Sequence, residues 1–248
     1  MMIKKSLGQS FLKNKGILER EANLAKIKNK TVLEIGSGDG RLSEVLLSRG
    51  PKKLFLVELD KELISVLRGR FRKNKKVKII AGDFLKLKPF KVDVIFGNIP
   101  YYISSKIVFK LLDWDFEAAV LMVQKEFGEK MVANPGGGNY GRLSVTSQVC
   151  FELKKGFVVS KENFFPKPKV DSIAIVLKKK RKLTDWEEEI IRELFSHKNK
   201  MAENALKKIH AKIPEGLRKK RPRHMTVEEV LSIAQAQDCT DHRTYNKA

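Results

Sequence analysis

Cysteine is nearly absent from this chain: 2 in 248 residues, Cys150 and Cys239, with no Cys-x-x-Cys spacing. That excludes a disulfide framework and a cysteine-built zinc site, and it fits a reducing compartment. Glycine (16) and proline (8) are too few for a collagen-like or mucin-like chain. No apolar run approaches the roughly 18 residues of a membrane-spanning helix. The opening Met1-Met2-Ile3-Lys4-Lys5-Ser6 lacks the apolar stretch of a signal peptide. Histidine is also scarce, and no two histidines stand at metal-ligand spacing, so no metal site is expected. Acid is the scarcer charge: 29 Asp and Glu face 51 Lys and Arg, a formal net charge of +22. Since 42% of the residues are hydrophobic, the chain has enough apolar material for a core and is no disordered polycation. A soluble cytoplasmic protein with a polyanionic partner and no membrane association is expected.

The basic excess is unevenly spread, with a net +18 over residues 1–180 and +4 over residues 181–248. Residues 68–78 hold seven basic side chains and no acid, and residues 198–223 hold ten against two. Both runs are candidate contacts for the polyanion, a solvated lysine-rich surface being the plainer reading.

Residues 1–180 alternate short apolar runs with amphipathic segments. Strands are expected at 31–35, 54–57, 77–81, 92–96 and 118–123, and helices at 39–49, 61–71 and 105–112. Near-continuous apolar strands in a βαβ rhythm predict a parallel sheet covered on both faces. After the loop 134–139, strands are expected at 145–153, 156–159 and 172–177. From Thr184 the pattern turns helical, with capping signals at Thr184 and Thr226. The expected domains are therefore residues 1–180, α/β, and residues 181–248, helical.

Chemistry enters at the strand ends. Glu34-Ile35-Gly36-Ser37-Gly38-Asp39-Gly40 joins the first strand to the first helix. Glycines there let the chain turn sharply and let a ligand approach the backbone. The spacing is Gly-x-Gly-x-Gly, with Arg41 where the dinucleotide fingerprint has its third glycine, which weakens an NAD reading. The acid at Glu34 suits a cofactor with a cationic amino-acid tail, as S-adenosylmethionine has. Glu58 ends the second strand, placed to accept from ribose hydroxyls; its neighbour Asp60 suits a helix cap better. Asp83 follows the third strand and can accept from an adenine amino group, with Phe84 beside it to cover the ring.

Asn98-Ile99-Pro100-Tyr101 closes the fourth strand. The lone pair of an exocyclic amine is delocalised into its ring, so methylating it requires help. The Asn98 side-chain oxygen and the Ile99 carbonyl can accept the amine hydrogens and favour a tetrahedral nitrogen. Pro100 fixes the backbone, and Tyr101 offers a face to an extruded base.

These segments, with Ser6-Leu7-Gly8-Gln9-Ser10-Phe11-Leu12, Val123-Gln124-Lys125-Glu126, Asn139-Tyr140-Gly141-Arg142-Leu143-Ser144-Val145 and Phe164-Phe165-Pro166-Lys167-Pro168-Lys169-Val170-Asp171-Ser172, resemble the small-subunit ribosomal RNA adenine dimethyltransferase family. The resemblance covers nearly all of residues 1–180 and is weaker beyond them. It implies a Rossmann-like, S-adenosylmethionine-dependent methyltransferase sheet with a small helical C-terminal domain that contacts RNA. It also implies that the reaction is dimethylation of N6 on two adjacent adenines near the 3′ end of small-subunit rRNA, on an immature small subunit, by a monomer. Ser10 and Leu12 are placed by it against the cofactor, and Phe164, in preference to Phe165, against the target base. Two other readings stay open: an adenine-N6 methyltransferase acting on large-subunit rRNA or DNA, and a non-catalytic RNA-binding assembly factor.

Overall fold

A strand that is apolar on both sides must have both sheet faces covered, and helical crossovers between parallel strands supply the cover. The computed structural model describes residues 10–238 and realises this arrangement in the first of two units. In chain order the elements begin with β1 (Phe11–Leu12), α1 (Lys15–Ala22), β2 (Thr31–Ile35), α2 (Arg41–Ser48), β3 (Lys53–Glu58) and α3 (Lys61–Phe71). There follow β4 (Val77–Ala81), β5 (Val94–Asn98), α4 (Ser104–Lys110), β6 (Ala118–Gln124), α5 (Lys125–Met131) and α6 (Arg142–Cys150). The last are β7 (Phe151–Val159), β8 (Phe164–Phe165), β9 (Ser172–Lys179), α7 (Asp185–Ser196), α8 (Ala202–Ala205) and α9 (Val227–Asp238).

The main sheet runs β4-β3-β2-β5-β6-β9-β7. Strands β4 to β6 are parallel, and β9 joins β6 antiparallel, with Leu121 opposite Ile175. The strand order reverses between β2 and β5, and a crevice opens at such a reversal beyond the carboxyl ends of the strands. Val32, Leu54, Leu56, Val94, Phe96 and Val120 form the middle of the core, against Leu18 and Ala22 of α1 and Leu42, Val45 and Leu46 of α2. A two-stranded ribbon, β1 with β8, sets Leu12 opposite Phe164.

The second unit comprises Glu129–Phe151 and the described residues from 180 onward. The sequence-based boundary at 180/181 therefore differs from the observed division, which places residues 129–151 with the helical unit. The reason is apolar: Tyr140, Val145 and Val149 pack with Ile190, Ile191 and Leu194 of α7 and with Val230 and Ile233 of α9. That packing also overturns the strand expected at 145–153, which is helical up to Cys150 and extended only after it. Val145 and Val149, one turn apart, turn to the same apolar cluster, so burial outweighs the β preference of the valines and threonine. The loop 134–139 is tied down by the Gly136 N–H, which donates to the Arg223 carbonyl (2.7 Å). Both expected caps form, Thr184 with Glu187 on α7 and Thr226 with Glu229 on α9. Among the described residues, no helix is long and apolar enough to cross a membrane.

Candidate active site

A cleft of about 580 Å³ opens beyond the carboxyl ends of β2, β3 and β5, wholly within the first unit. Every site residue named from the sequence borders it: Ser10, Leu12, Glu34, Gly36, Gly38, Glu58, Asp83, Phe84, Asn98, Ile99, Pro100, Tyr101 and Phe164. The segment 6–9 lies outside the described residues.

On one side stands the β2–α2 turn. Gly36 (φ +68°) and Gly38 (φ +58°) adopt the left-handed backbone that side chains disfavour. A Cβ on Gly38 would meet the Phe11 ring at 3.1 Å, so the ribbon and the turn approach as closely as glycine permits. The Gly38 N–H donates to Glu58 Oε2 (2.8 Å), and the N–H groups of Leu59 and Asp60 donate to Oε1 (2.8 and 2.9 Å). Three backbone donors thus hold one carboxylate at the rim. Asp60 caps α3 by accepting from the Glu62 N–H (3.0 Å), as its spacing predicts. Asp83 accepts from the Leu85 N–H (2.9 Å), which fixes it at the start of a short 3₁₀ turn. Phe84 is nearly buried and stacks on Trp114, with ring centroids 5.3 Å apart.

Glu34 is 2% exposed and accepts from the Ser43 hydroxyl. Burial pushes its carboxyl up to about 8, and the nearby acids Glu21, Glu58 and Asp39 push the same way.

Beside the β2–α2 turn, β5 ends at Asn98, whose carbonyl oxygen lies 4.0 Å from where a Gly36 Cβ would be. The Ile99 N–H donates to the Met122 carbonyl (3.3 Å), and the Ser104 hydroxyl donates to the Pro100 carbonyl (3.3 Å), fixing the turn. Tyr101 Oη lies 2.6 Å from the Ser172 hydroxyl of β9, and burial raises its phenol above the ordinary value, so the ring stays neutral. Phe164 is 6% exposed at the cleft wall, whereas Phe165 is 51% exposed and lies under the Lys13 ammonium (4.1 Å). The Ser10 hydroxyl donates to the Pro166 carbonyl (2.7 Å), so it braces the loop after β8.

Sequence reasoning missed several residues of the site. Ser172 lies 71 positions from its partner Tyr101, a pairing only the β6–β9 register creates. Lys167 and Lys169 at the mouth were hidden inside a proline-rich motif. Glu21, fully buried behind Asn98, did leave a signal: it is an acid on the buried stripe of α1, beside Leu18 and Ala22.

The residues suit S-adenosylmethionine on the chemistry of their donors. A carboxylate ends β3 where a ribose diol would lie, an acid and an aromatic follow β4, and glycines leave the turn open. Fold and site together are those of a Rossmann-like, S-adenosylmethionine-dependent methyltransferase. Residues 1–242 match the profile of the family described as ribosomal RNA adenine dimethylase, and the chain belongs to that family. A Pyrococcus abyssi protein called probable ribosomal RNA small subunit methyltransferase A is 37% identical over 243 residues, covering 92% of this chain and 89% of its own. The solved structure of a dimethyladenosine transferase from Plasmodium falciparum is similar at a TM-score of 0.83 and 30% identity, over 92% of this chain and 98% of that one. The 23S rRNA methyltransferase ErmE is similar at a TM-score of 0.71 and 26% identity, over 92% and 99%.

Proposed function

We propose that the enzyme dimethylates N6 of two adjacent adenines near the 3′ end of small-subunit rRNA, acting as a cytoplasmic monomer on a partly assembled subunit. The observation that carries the chemistry is the placement of Asn98-Ile99-Pro100-Tyr101 on the cleft directly beside the glycine turn, with Phe164 on the same cleft. In this reading S-adenosylmethionine, when bound, supplies an electrophilic methyl group carried on a sulfonium. Glu58 accepts from the ribose hydroxyls, Asp83 from the adenine amino group, and Gly36 and Gly38 admit the methionine end. Phe84 borders the adenine site as a wall backed by Trp114. Ser10 and Leu12 shape the cofactor side through the β1–β8 ribbon.

Tyr101 and Phe164 hold the target adenine between aromatic faces, a contact worth about 1–3 kcal/mol per base. The Asn98 side-chain oxygen and the Ile99 carbonyl accept the amine hydrogens, which favours a lone pair directed out of the ring plane. As the nitrogen gains its methyl group it loses a proton to water, so no strong base is required.

The likeness to ErmE supports a second reading, with large-subunit rRNA as substrate. Labelled methyl transfer to purified small subunits lacking the modification, to large subunits and to duplex DNA separates the two. Label in dimethyladenine of small-subunit rRNA alone is expected; label in large subunits or duplex DNA alone would displace the proposal.

A further inference from the structure

Among the described residues, Glu21 is an acid with no exposed surface that the reading above leaves without a task. It sits on α1 with no exposed surface, on the side opposite to water from Asn98, which borders the cleft. The orientation of the Asn98 carboxamide follows from its surroundings. With its nitrogen toward Glu21 it donates to Oε1 (2.9 Å) and lies 3.3 Å from Oε2; in the reverse orientation its oxygen would face only acceptors and its nitrogen only donors. Both oxygens of one buried carboxyl therefore grip one end of the amide, leaving the oxygen end free of that grip.

This matters because the two ends of a carboxamide are nearly equal in size and opposite in hydrogen bonding. An amide oxygen facing the target amine accepts its hydrogens, whereas an amide nitrogen there would oppose donor to donor. Nothing in the shape of asparagine selects between them. We propose that Glu21 is a positioning residue for methyl transfer: by holding the amide nitrogen of Asn98 from behind, it commits the amide oxygen to the substrate amine. The inference rests on the reading of Asn98 as the group that orients that amine.

The surroundings of Glu21 support a role that is not structural. Burial pushes its carboxyl up to about 8, and the hydrogen bond from Asn98 acts downward because it favours the ionised form, in which both oxygens only accept. The neighbouring acid Glu34, on β2, is itself raised in part by Glu21. A leucine of similar size at this position would avoid the desolvation of a carboxyl, so the fold alone gives no reason for an acid there. An acid kept in unfavourable burial beside a cleft is a candidate for a role in the site.

The test is a double-mutant cycle in the full chain, with single-turnover methyl transfer, substrate affinities and thermal midpoint as readouts. Glu21→Leu should lower the transfer rate about tenfold or more, since small losses of orientation are costly. Affinity for S-adenosylmethionine and for RNA should stay within twofold, and the midpoint should hold or rise. Glu21→Gln, which offers the Asn98 amide a donor as well as an acceptor, should recover the rate only in part. Added to Asn98→Ala, whose slow residual transfer is followed over hours, Glu21→Leu should cost nothing further. Glu21→Met repeats the test should the leucine variant fold poorly. An unchanged rate in Glu21→Leu, or an equal loss in both backgrounds, would each overturn the proposal. If Asn98→Ala itself transfers at the wild-type rate, it is the reading of Asn98 that fails, and Glu21 has nothing to position.

Discussion

Asn98 carries the expected chemistry at the scale of single residues, and its removal gives the sharpest outcome. In the proposed reading its oxygen acts on the amine only as the nitrogen becomes tetrahedral, so Asn98→Ala should lower kcat by about 10²–10³-fold, the loss typical of one transition-state acceptor or donor. Cofactor affinity, measured by calorimetry, should change by less than threefold, because the carboxylates proposed to hold the ribose and adenine, Glu58 and Asp83, lie on β3 and after β4. Glu34 makes a second prediction. Its folded-state carboxyl is raised to about 8 from 4.5, so between these values the folded chain holds more protons than the unfolded one. Stability from this group is present below about pH 4.5 and is lost as pH rises through 8. Glu34→Gln, which keeps an acceptor for the Ser43 hydroxyl, should flatten the fall in thermal midpoint between pH 5 and 8. A cation bound nearby favours the ionised form, so binding of S-adenosylmethionine at pH 7.5 should release protons. Calorimetry in buffers of different ionisation enthalpy measures that release, and Glu34→Gln should reduce it.

At the scale of elements, the parallel strands were legible because each is a short apolar run flanked by a helix of plain periodicity; β4 and α3 fall where their patterns predict. The strand-end residues that border the cleft were legible for the same reason, since a strand end followed by glycine or acid is a local signal. What was not legible depends on distant partners. Helix α6 reads locally as a strand, and only its burial against α7 and α9 makes it helical. The β1–β8 ribbon is two residues long on each side, too short for any periodicity to show. Glu21 and Ser172 belong to the site through contacts across 77 and 71 positions respectively. Helix α6 also offers a stability test. The buried Ser144 hydroxyl donates to the Lys130 carbonyl (2.6 Å) and accepts from the Gly141 N–H (3.1 Å), tying the helix start to α5. Ser144→Ala leaves both groups without that partner and should cost about 1–3 kcal/mol in urea unfolding. If the cost is below about 0.5 kcal/mol, solvent or backbone rearrangement replaces the tie.

For the whole molecule, the question is where a net charge of +22 meets RNA. The densest run, residues 68–78, looked from the sequence like a contact for the polyanion. Topology puts it elsewhere: α3 carries the chain from the carboxyl end of β3 back to the amino ends of the strands, and the Lys76 carbonyl accepts from the Leu54 N–H at the start of β3 (2.9 Å). The cleft lies at the other end of the same strands. Among the described residues, three cations border the cleft: Arg41, which pairs with Asp39 (3.0 Å), and the exposed Lys167 and Lys169, close in sequence to Phe165 and Val170, which also reach the surface. Phosphate contacts there position the strand while one base enters, and each contact adds to the salt dependence of binding, about 0.7 per phosphate for single strands. Replacing Lys167 and Lys169 by glutamine should weaken binding to the immature subunit about tenfold and lower the salt slope by roughly one to two. Reversing Arg72, Lys73 and Lys75 to glutamate should leave affinity within twofold and the slope unchanged. If the second variant loses more affinity than the first, RNA runs along the amino-end edge of the sheet, and the cleft mouth is not the principal electrostatic contact.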